Sequence, residues 1–434
     1  MCCVNQKNTP LWHPAFYLPQ TGAGSIDHHF LFPTAKKVLD QSGYLFADTV
    51  PVHLQESLNA MYEYSVKWKL NINTSKTKII CFSRGKIRNI PSFHIGECKV
   101  EVVDEFPYLG IQFNYNSKFS KARKAIREKA SRAMFSLLSK SRRLSLPIGI
   151  QLHLFDSQVV PVLLYGCEIW SHENCEDIEK LHLRYCKYIL SLNRTTCSNM
   201  LYGELGRFPL AILMKVRSVT FWLRLVSGIK TKFSSILYQL LYKMYIHNIF
   251  KSPWLENIYS VLNETGFSYL WFNQDQISSN SIDSIQSLIQ TRLHDQLLQV
   301  WSSDIFNSSK CINYRIFKTQ LTFEPYLNNL PSDLRISLCK FRCRNHKLPI
   351  EIGCHRRIAR DLRTCELCNK NSVGDEFHYL FECSFFNKCR KQYLPAFCRT
   401  NSSSFKFNLI MNHTNDTTIF KLSKFIKIIL LKFI

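Results

Sequence analysis

The residues best suited to chemistry lie late in the chain, in "CELCNKNSVGDEFHYLFEC". Cys365 and Cys368 are two residues apart, His378 follows after nine, and Cys383 after four more. Zinc takes four ligands at tetrahedral corners. A C-x2-C pair on a tight turn delivers two thiolates to one ion, and H-x4-C at the start of a helix supplies the other two. Protein would then fill all four positions, so the expected centre is structural rather than catalytic. Cys354, His355, Cys389 and Cys398 are available as substitutes in the shell. A plainer reading stands beside this one: a packed core histidine among buried thiols. A small zinc module can take about 10–16 kcal/mol from its metal, enough to decide whether such a segment folds.

A second set of candidates is cationic. With 56 Lys+Arg against 32 Asp+Glu the formal net charge is +24, which favours a polyanionic partner, RNA or DNA. The competing reading is a generally basic, solvated surface, and an acidic membrane is a weaker competitor. Residues 118–143 carry ten Lys/Arg and a single Glu. Phe119, Ala122, Ile126, Ala130, Ala133 and Leu137 form one helical stripe there, which leaves Lys121, Arg123, Lys124 and Arg127 for other faces. A solvated helix face is the default for a charge run, but this one is too lopsided for ion-pair lacing. A phosphate-facing helix is the alternative. Lys76, Lys78 and Arg84, interleaved with Trp68, Leu70 and Asn73, lie between a helix and a strand and extend the cationic set.

The elements that must position these residues are mostly helices. The length of 434 residues suggests two or three domains, and 46% hydrophobic content makes the chain globular. Leu54, Leu58, Met61, Tyr62 and Val66 recur at helical spacing in 54–69. Residues 76–83 read as a strand, and 97–113 as a β pair turning around Asp104-Glu105. Helical patterns fill 147–170, 175–192 and the stretch after 210 to about 247, then 253–263 and 284–302. Residues 1–42 show no sustained periodicity. The 17 cysteines lack small-domain spacing, and the start "MCCVNQKNTPLW" lacks a basic stretch followed by an apolar core. A reducing compartment is expected, intracellular and either nuclear or cytoplasmic. The final "IFKLSKFIKIILLKFI" is too short and Lys-rich to span a membrane. Lys421, Lys424 and Lys427 share one face of an amphipathic helix expected to pack on the protein body.

Several ordered motifs resemble one family. Phe46-Ala47-Asp48, Leu54-Gln55 and Trp68-x-Leu70-x-x-Asn73-x-x-Lys76-Thr77-Lys78 are similar to the palm of non-LTR (LINE-type) retrotransposon reverse transcriptases. "FPYLGIQF" (106–113) is similar to that family's primer-holding hairpin. "LLYGCEIW" (163–170), "HLRYCKYIL" (182–190) and "YGELGRFPL" (202–210) resemble the region downstream. "KFRCRNHKLPIEIG" (340–353) with the Cys/His cluster resembles its C-terminal zinc-binding segment. The resemblance implies a mainly α chain with a small α/β N-terminal part. Its parts would be an irregular non-family stretch at 1–42, a partial palm at 43–115, a thumb-like region at 116–247, a helical connector at 248–335, a zinc-binding segment at 336–400 and a C-terminal helix at 401–434. It also implies RNA-directed DNA synthesis as the ancestral function.

The same resemblance exposes a deficit. The polymerase reaction needs two Mg²⁺ ions held by several carboxylates converging from different strands. The family supplies adjacent aspartates in one hairpin and a third from upstream. Here Asp48 is followed by Thr49, and only five residues separate Asp48 from Leu54-Gln55. Pro51 lacks the N–H a return strand would need. Asp27 and Asp40 sit on no convincing strand. Asp48 is therefore expected to be vestigial, with Mg²⁺ belonging only to the complete family enzyme and nucleic-acid binding surviving. A decayed or mispredicted reading frame without selected activity is the alternative.

Overall fold

The computed structural model describes residues 2–5, 45–46, 51–83, 90–229 and 232–433. Asp27, Asp40, Asp48 and Arg84 lie outside them. Helices dominate, and among the described residues every strand precedes residue 115. The chain divides into two units that each gather distant segments. One comprises Met1–Lys129, Leu163–Cys175 and Leu213–Gln290; the other comprises Ala130–Val162, Glu176–Ile212 and Thr291–Ile434.

The first unit contains a five-stranded sheet ordered β2-β1-β3-β5-β4, from β1 (Cys2–Asn5), β2 (Leu45–Phe46), β3 (Lys78–Phe82), β4 (Phe93–Ile95) and β5 (Cys98–Val102). The strand at Cys2–Asn5 falls in sequence that lacks periodicity, since four residues are too few to show alternation. It runs parallel to β3. Only β4 is antiparallel to its neighbour. Helix Pro51–Lys67 covers the sheet, and Leu54 and Leu58 join Ile79, Cys81, Phe93, Ile95 and Val100 in one apolar cluster. Pro51 begins this helix, where its missing N–H costs nothing. The expected stripe is only partly buried, because Val66 is 61% exposed and Ser65 is buried instead. At about 100° per residue, position 65 falls back over 54 and 58 while 62 and 66 drift off that face.

Gln55 accounts for the polar half of the Leu-Gln pair. Its amide donates to the His94 carbonyl at 2.9 Å and accepts from the His94 N–H at 2.9 Å, satisfying both backbone groups of that residue in β4. Asn73 organises the next connection: its side-chain oxygen accepts from the Lys76 N–H at 3.1 Å, an Asx-type turn leading into β3.

The turn expected at Asp104-Glu105 is a correction. The strand before it, β5, pairs with β3 and β4, whereas β6 (Glu105–Tyr108) pairs with β7 (Ile111–Asn114) around Leu109-Gly110. Both turn residues have positive φ, 44° and 82°, as a two-residue hairpin of primed type demands. Tyr165 donates its hydroxyl to the Leu109 carbonyl at 2.7 Å, so the "LLYG" segment holds the hairpin tip.

Helix Ser120–Arg143 buries Ala122, Ile126, Ala130, Met134, Leu137 and Leu138. Met134 takes the place expected of Ala133, continuing the four-residue step from Ile126 and Ala130.

In the second unit, helix Asp416–Leu431 packs against helix Ser332–Arg342. It buries Ile419, Leu422, Phe425, Ile426 and Ile429 and leaves Lys421 and Lys424 outside, while Lys427 pairs with Asp333 at 2.8 Å. No helix among the described residues is long and apolar enough to cross a membrane.

Buried charge ties the second unit together. Arg342 approaches Glu204 at 2.9 Å and Glu324 at 3.1 Å, donates to the Met411 carbonyl at 2.9 Å and lies over the Phe317 ring. Tyr326 donates to Glu204 at 2.6 Å. Glu204 belongs to "YGELGRFPL" and Arg342 to "KFRCRNHKLPIEIG", so two motifs separated by more than a hundred residues meet in one ion pair. Gly206 ends helix Ser198–Leu205 with φ 59°, and an added Cβ there would collide with the backbone of Phe323. Arg207 continues the pattern, pairing with Asp156 at 2.6 Å and approaching His182 at 2.9 Å.

Candidate metal centre and basic surface

Cys365 and Cys368 sit at the head of a short hairpin. The Thr364–Val373 bridge and a 2.9 Å bond from the Cys365 N–H to the Ser372 carbonyl close it. The Leu367 N–H points at the Cys365 sulfur at 3.4 Å. Helix Glu376–Phe381 supplies His378 in its first turn, and Asp375 caps that helix by accepting from the His378 N–H at 3.0 Å. Cys383 follows two residues after the end of the helix. The four ligand atoms lie within 4.8 Å of one another.

Individual separations test the fit. Bond lengths of about 2.3 Å to sulfur and 2.0–2.1 Å to nitrogen give tetrahedral edges of about 3.8 Å between sulfurs and about 3.6 Å between sulfur and nitrogen. The Cys365 and Cys383 sulfurs are 3.8 Å apart, and Cys368 Sγ lies 3.4 Å from His378 Nε2. The four side chains could therefore hold one metal ion. None of Cys354, His355, Cys389 or Cys398 joins them.

The surroundings favour ligation. Glu382 lies 3.4 Å from His378 Nδ1, orienting the ring so that Nε2 faces the thiols. Burial lowers the pKa of His378, keeping the imidazole neutral as a metal ligand requires. Burial pushes the Cys383 thiol up to about 12. At Cys368 burial acts in the same direction, but the Lys370 N–H and the neighbouring thiols outweigh it and lower the pKa. A bound cation would reverse the cost at Cys383, because a coordinating thiol gives up its proton.

Spacing could not reveal what anchors this module. Glu376 is buried, with His346 at 2.9 Å, Arg344 at 3.6 Å and the Asn313 amide as its partners. Burial alone would raise its pKa; His346 and Arg344 override that and hold it at about 2. Arg344 also meets Glu351 at 2.9 Å. The sequence signals that could have found Asp375 and Glu382 are a capping residue three before His378 and a carboxylate four after it.

The cationic candidates divide. Arg123 is turned inward to Glu173 at 3.3 Å and to the Asn174 carbonyl, and Glu173 also accepts from the Phe119 N–H at 2.9 Å. Lys121 pairs with Glu105, and Lys78 with Glu101 at 2.5 Å, its cross-strand partner in β5. These three cations have structural duties. Lys76 and Lys124 are exposed and Arg127 half-buried, without side-chain partners among the described residues. Lys129, Arg132 and Lys140, not singled out from the sequence, are exposed and equally free. A helical-face count could have found Arg132, which lies opposite the buried stripe, but not Lys129 and Lys140, which share the angular position of buried Ala122.

No family profile matches the chain, and no solved structure matches it. The chain is 29% identical over 121 residues to a probable RNA-directed DNA polymerase from the transposon X-element of Drosophila melanogaster, covering 27% of this chain and 13% of that protein. It is 27% identical over 153 residues to a putative uncharacterized transposon-derived protein of Caenorhabditis elegans, covering 34% of this chain and 53% of that protein. The matches thus span a minor part of the first relative and about half of the second, and both relatives are transposon sequences.

Proposed function

We propose that this chain is a retrotransposon-derived fragment of a LINE-type reverse transcriptase that binds RNA or DNA and no longer polymerises. The observation that carries the binding is the solvent face of helix Ser120–Arg143, where Lys124, Lys129, Arg132 and Lys140 have no carboxylate partners among the described residues. Unpaired cations on one rigid element match a phosphate backbone, whose counterions they release. The Cys365, Cys368, His378 and Cys383 cluster supports a structural zinc that stabilises the C-terminal segment. The ordered motifs and the similarity to a transposon RNA-directed DNA polymerase support the ancestry. Loss of catalysis rests on Thr49, which stands where the resembled family has its second aspartate.

The test is binding of labelled RNA and DNA across a salt series. Affinity should fall steeply with salt, and Lys124→Ala, Lys129→Ala and Arg132→Ala combined should flatten the log–log slope by about 3. A flat response in the unaltered protein would overturn the reading. Primer extension with Mg²⁺ and all four dNTPs should give no more product than Asp48→Ala; incorporation above that control would restore the enzyme.

A further inference from the structure

Within the second unit, Phe135, Leu138, Ser139, Arg142, Arg143 and Tyr188 line a cavity of about 350 Å³. It is formed by helix Ser120–Arg143 and helix Glu176–Ile189. Leu138 is buried at its floor, whereas Phe135 and Tyr188 leave 42% and 43% of their surfaces open. Both rings carry a guanidinium: Arg184 lies 5.0 Å from the Phe135 centroid, and Arg142 lies 5.1 Å from that of Tyr188 while also donating to its hydroxyl. Neither arginine has a carboxylate partner among the described residues, and no acidic side chain lines the cavity. Arg143 is exposed and unpaired on the same rim.

We propose that this cavity is a stacking site for an unpaired nucleobase, with Phe135 and Tyr188 as the platform and Arg143 on the adjoining phosphate. The proposal rests on the nucleic-acid-binding reading and adds the form of its ligand, a single strand. Charge alone would suit any polyanion, including a duplex or an acidic peptide. Two rings, each with an arginine over one face and two-fifths of its surface still exposed, add a demand for flat, unpaired bases, which a duplex hides in its stack. The volume is at the small end of ligand pockets, roughly 300–1,000 Å³.

The test uses the full chain with a single-stranded oligonucleotide carrying 2-aminopurine, and the same strand in a duplex. Stacking on an aromatic ring should quench the fluorescence of the single strand and prefer it over the duplex. Phe135→Leu and Tyr188→Leu should each weaken single-strand binding about 5- to 150-fold, the range for losing one stacked base. They should leave the salt slope unchanged, since no cation is removed. Both positions are exposed, and a matching thermal melt shows that the variants fold. Steep salt-dependent binding with no quench and no loss in either variant would overturn the stacking site and leave the nucleic-acid reading intact. No binding by the unaltered chain would overturn both.

Discussion

Lys78 and Arg342 both face carboxylates, in opposite settings. Lys78 meets Glu101 across two parallel strands of the first unit, with the Glu side chain 64% exposed. Arg342, in the second unit, is sealed from solvent against Glu204 and Glu324. The contrast extends to the neighbouring motif residues. In the first unit Trp68 and Leu70 stand at the surface, 60% and 43% exposed, and the motif's structural work falls to Gln55 and Asn73 through backbone groups. In the second, Glu204 with Arg342 and Arg344 with Glu351 are buried and pair with one another. Equally recognisable motifs therefore do different structural work: exposed side chains with backbone-satisfying amides in one region, and buried ion pairs in the other.

That difference can be broken at graded cost. The largest effect should come from the metal centre: Cys383→Ser, or a strong chelator, should release one ion per chain and unfold the C-terminal module, removing stabilisation on the order of 10–16 kcal/mol. Metal analysis together with circular dichroism would read it, and full retention of structure without metal would favour the packed-thiol alternative. Next is Arg342→Met, which leaves the buried Glu204 carboxylate without its cation, whereas Glu324 keeps Lys318, and should cost about 3–5 kcal/mol in denaturant unfolding. A third concerns pH. The Glu376 carboxyl is depressed from 4.5 to about 2, so its contribution is fully present above pH 4.5 and lost as pH falls toward 2. The stability gap between wild type and Glu376→Gln should be at most about 3 kcal/mol and shrink through that window. A gap that stays constant there would contradict the assigned partners. Lys78→Met should be the mildest, within about 1 kcal/mol, because its partner is solvated. A loss as large as that of Arg342→Met would erase the contrast between the units.

Much of this was legible beforehand. The predominance of helices followed from apolar periodicity, and the Cys/His cluster from spacing alone, because C-x2-C and H-x4-C limit how far their ligands can separate. The hairpin was legible in "FPYLG" but misplaced by alternation, since its turn is specified by the positive φ of Leu109 and Gly110 and not by polarity. The buried ion pairs were illegible: Glu204 and Arg342 look like ordinary surface charges in any local window, and only tertiary packing brings them together.

The amino-acid sequence determined the short-range features, namely helix stripes, the ligand spacing, the excess of positive charge and the Thr that follows Asp48. Each depends on residues within a few turns of one another or on composition. Tertiary structure decided which cations are spent and which are free. Lys121 and Arg123 are consumed by Glu105 and Glu173, brought close by folding, while Lys124 and Arg132 are exposed and form no ion pair among the described residues. A charge becomes available to a ligand only when no folded neighbour claims it, and the neighbours are set by long-range packing.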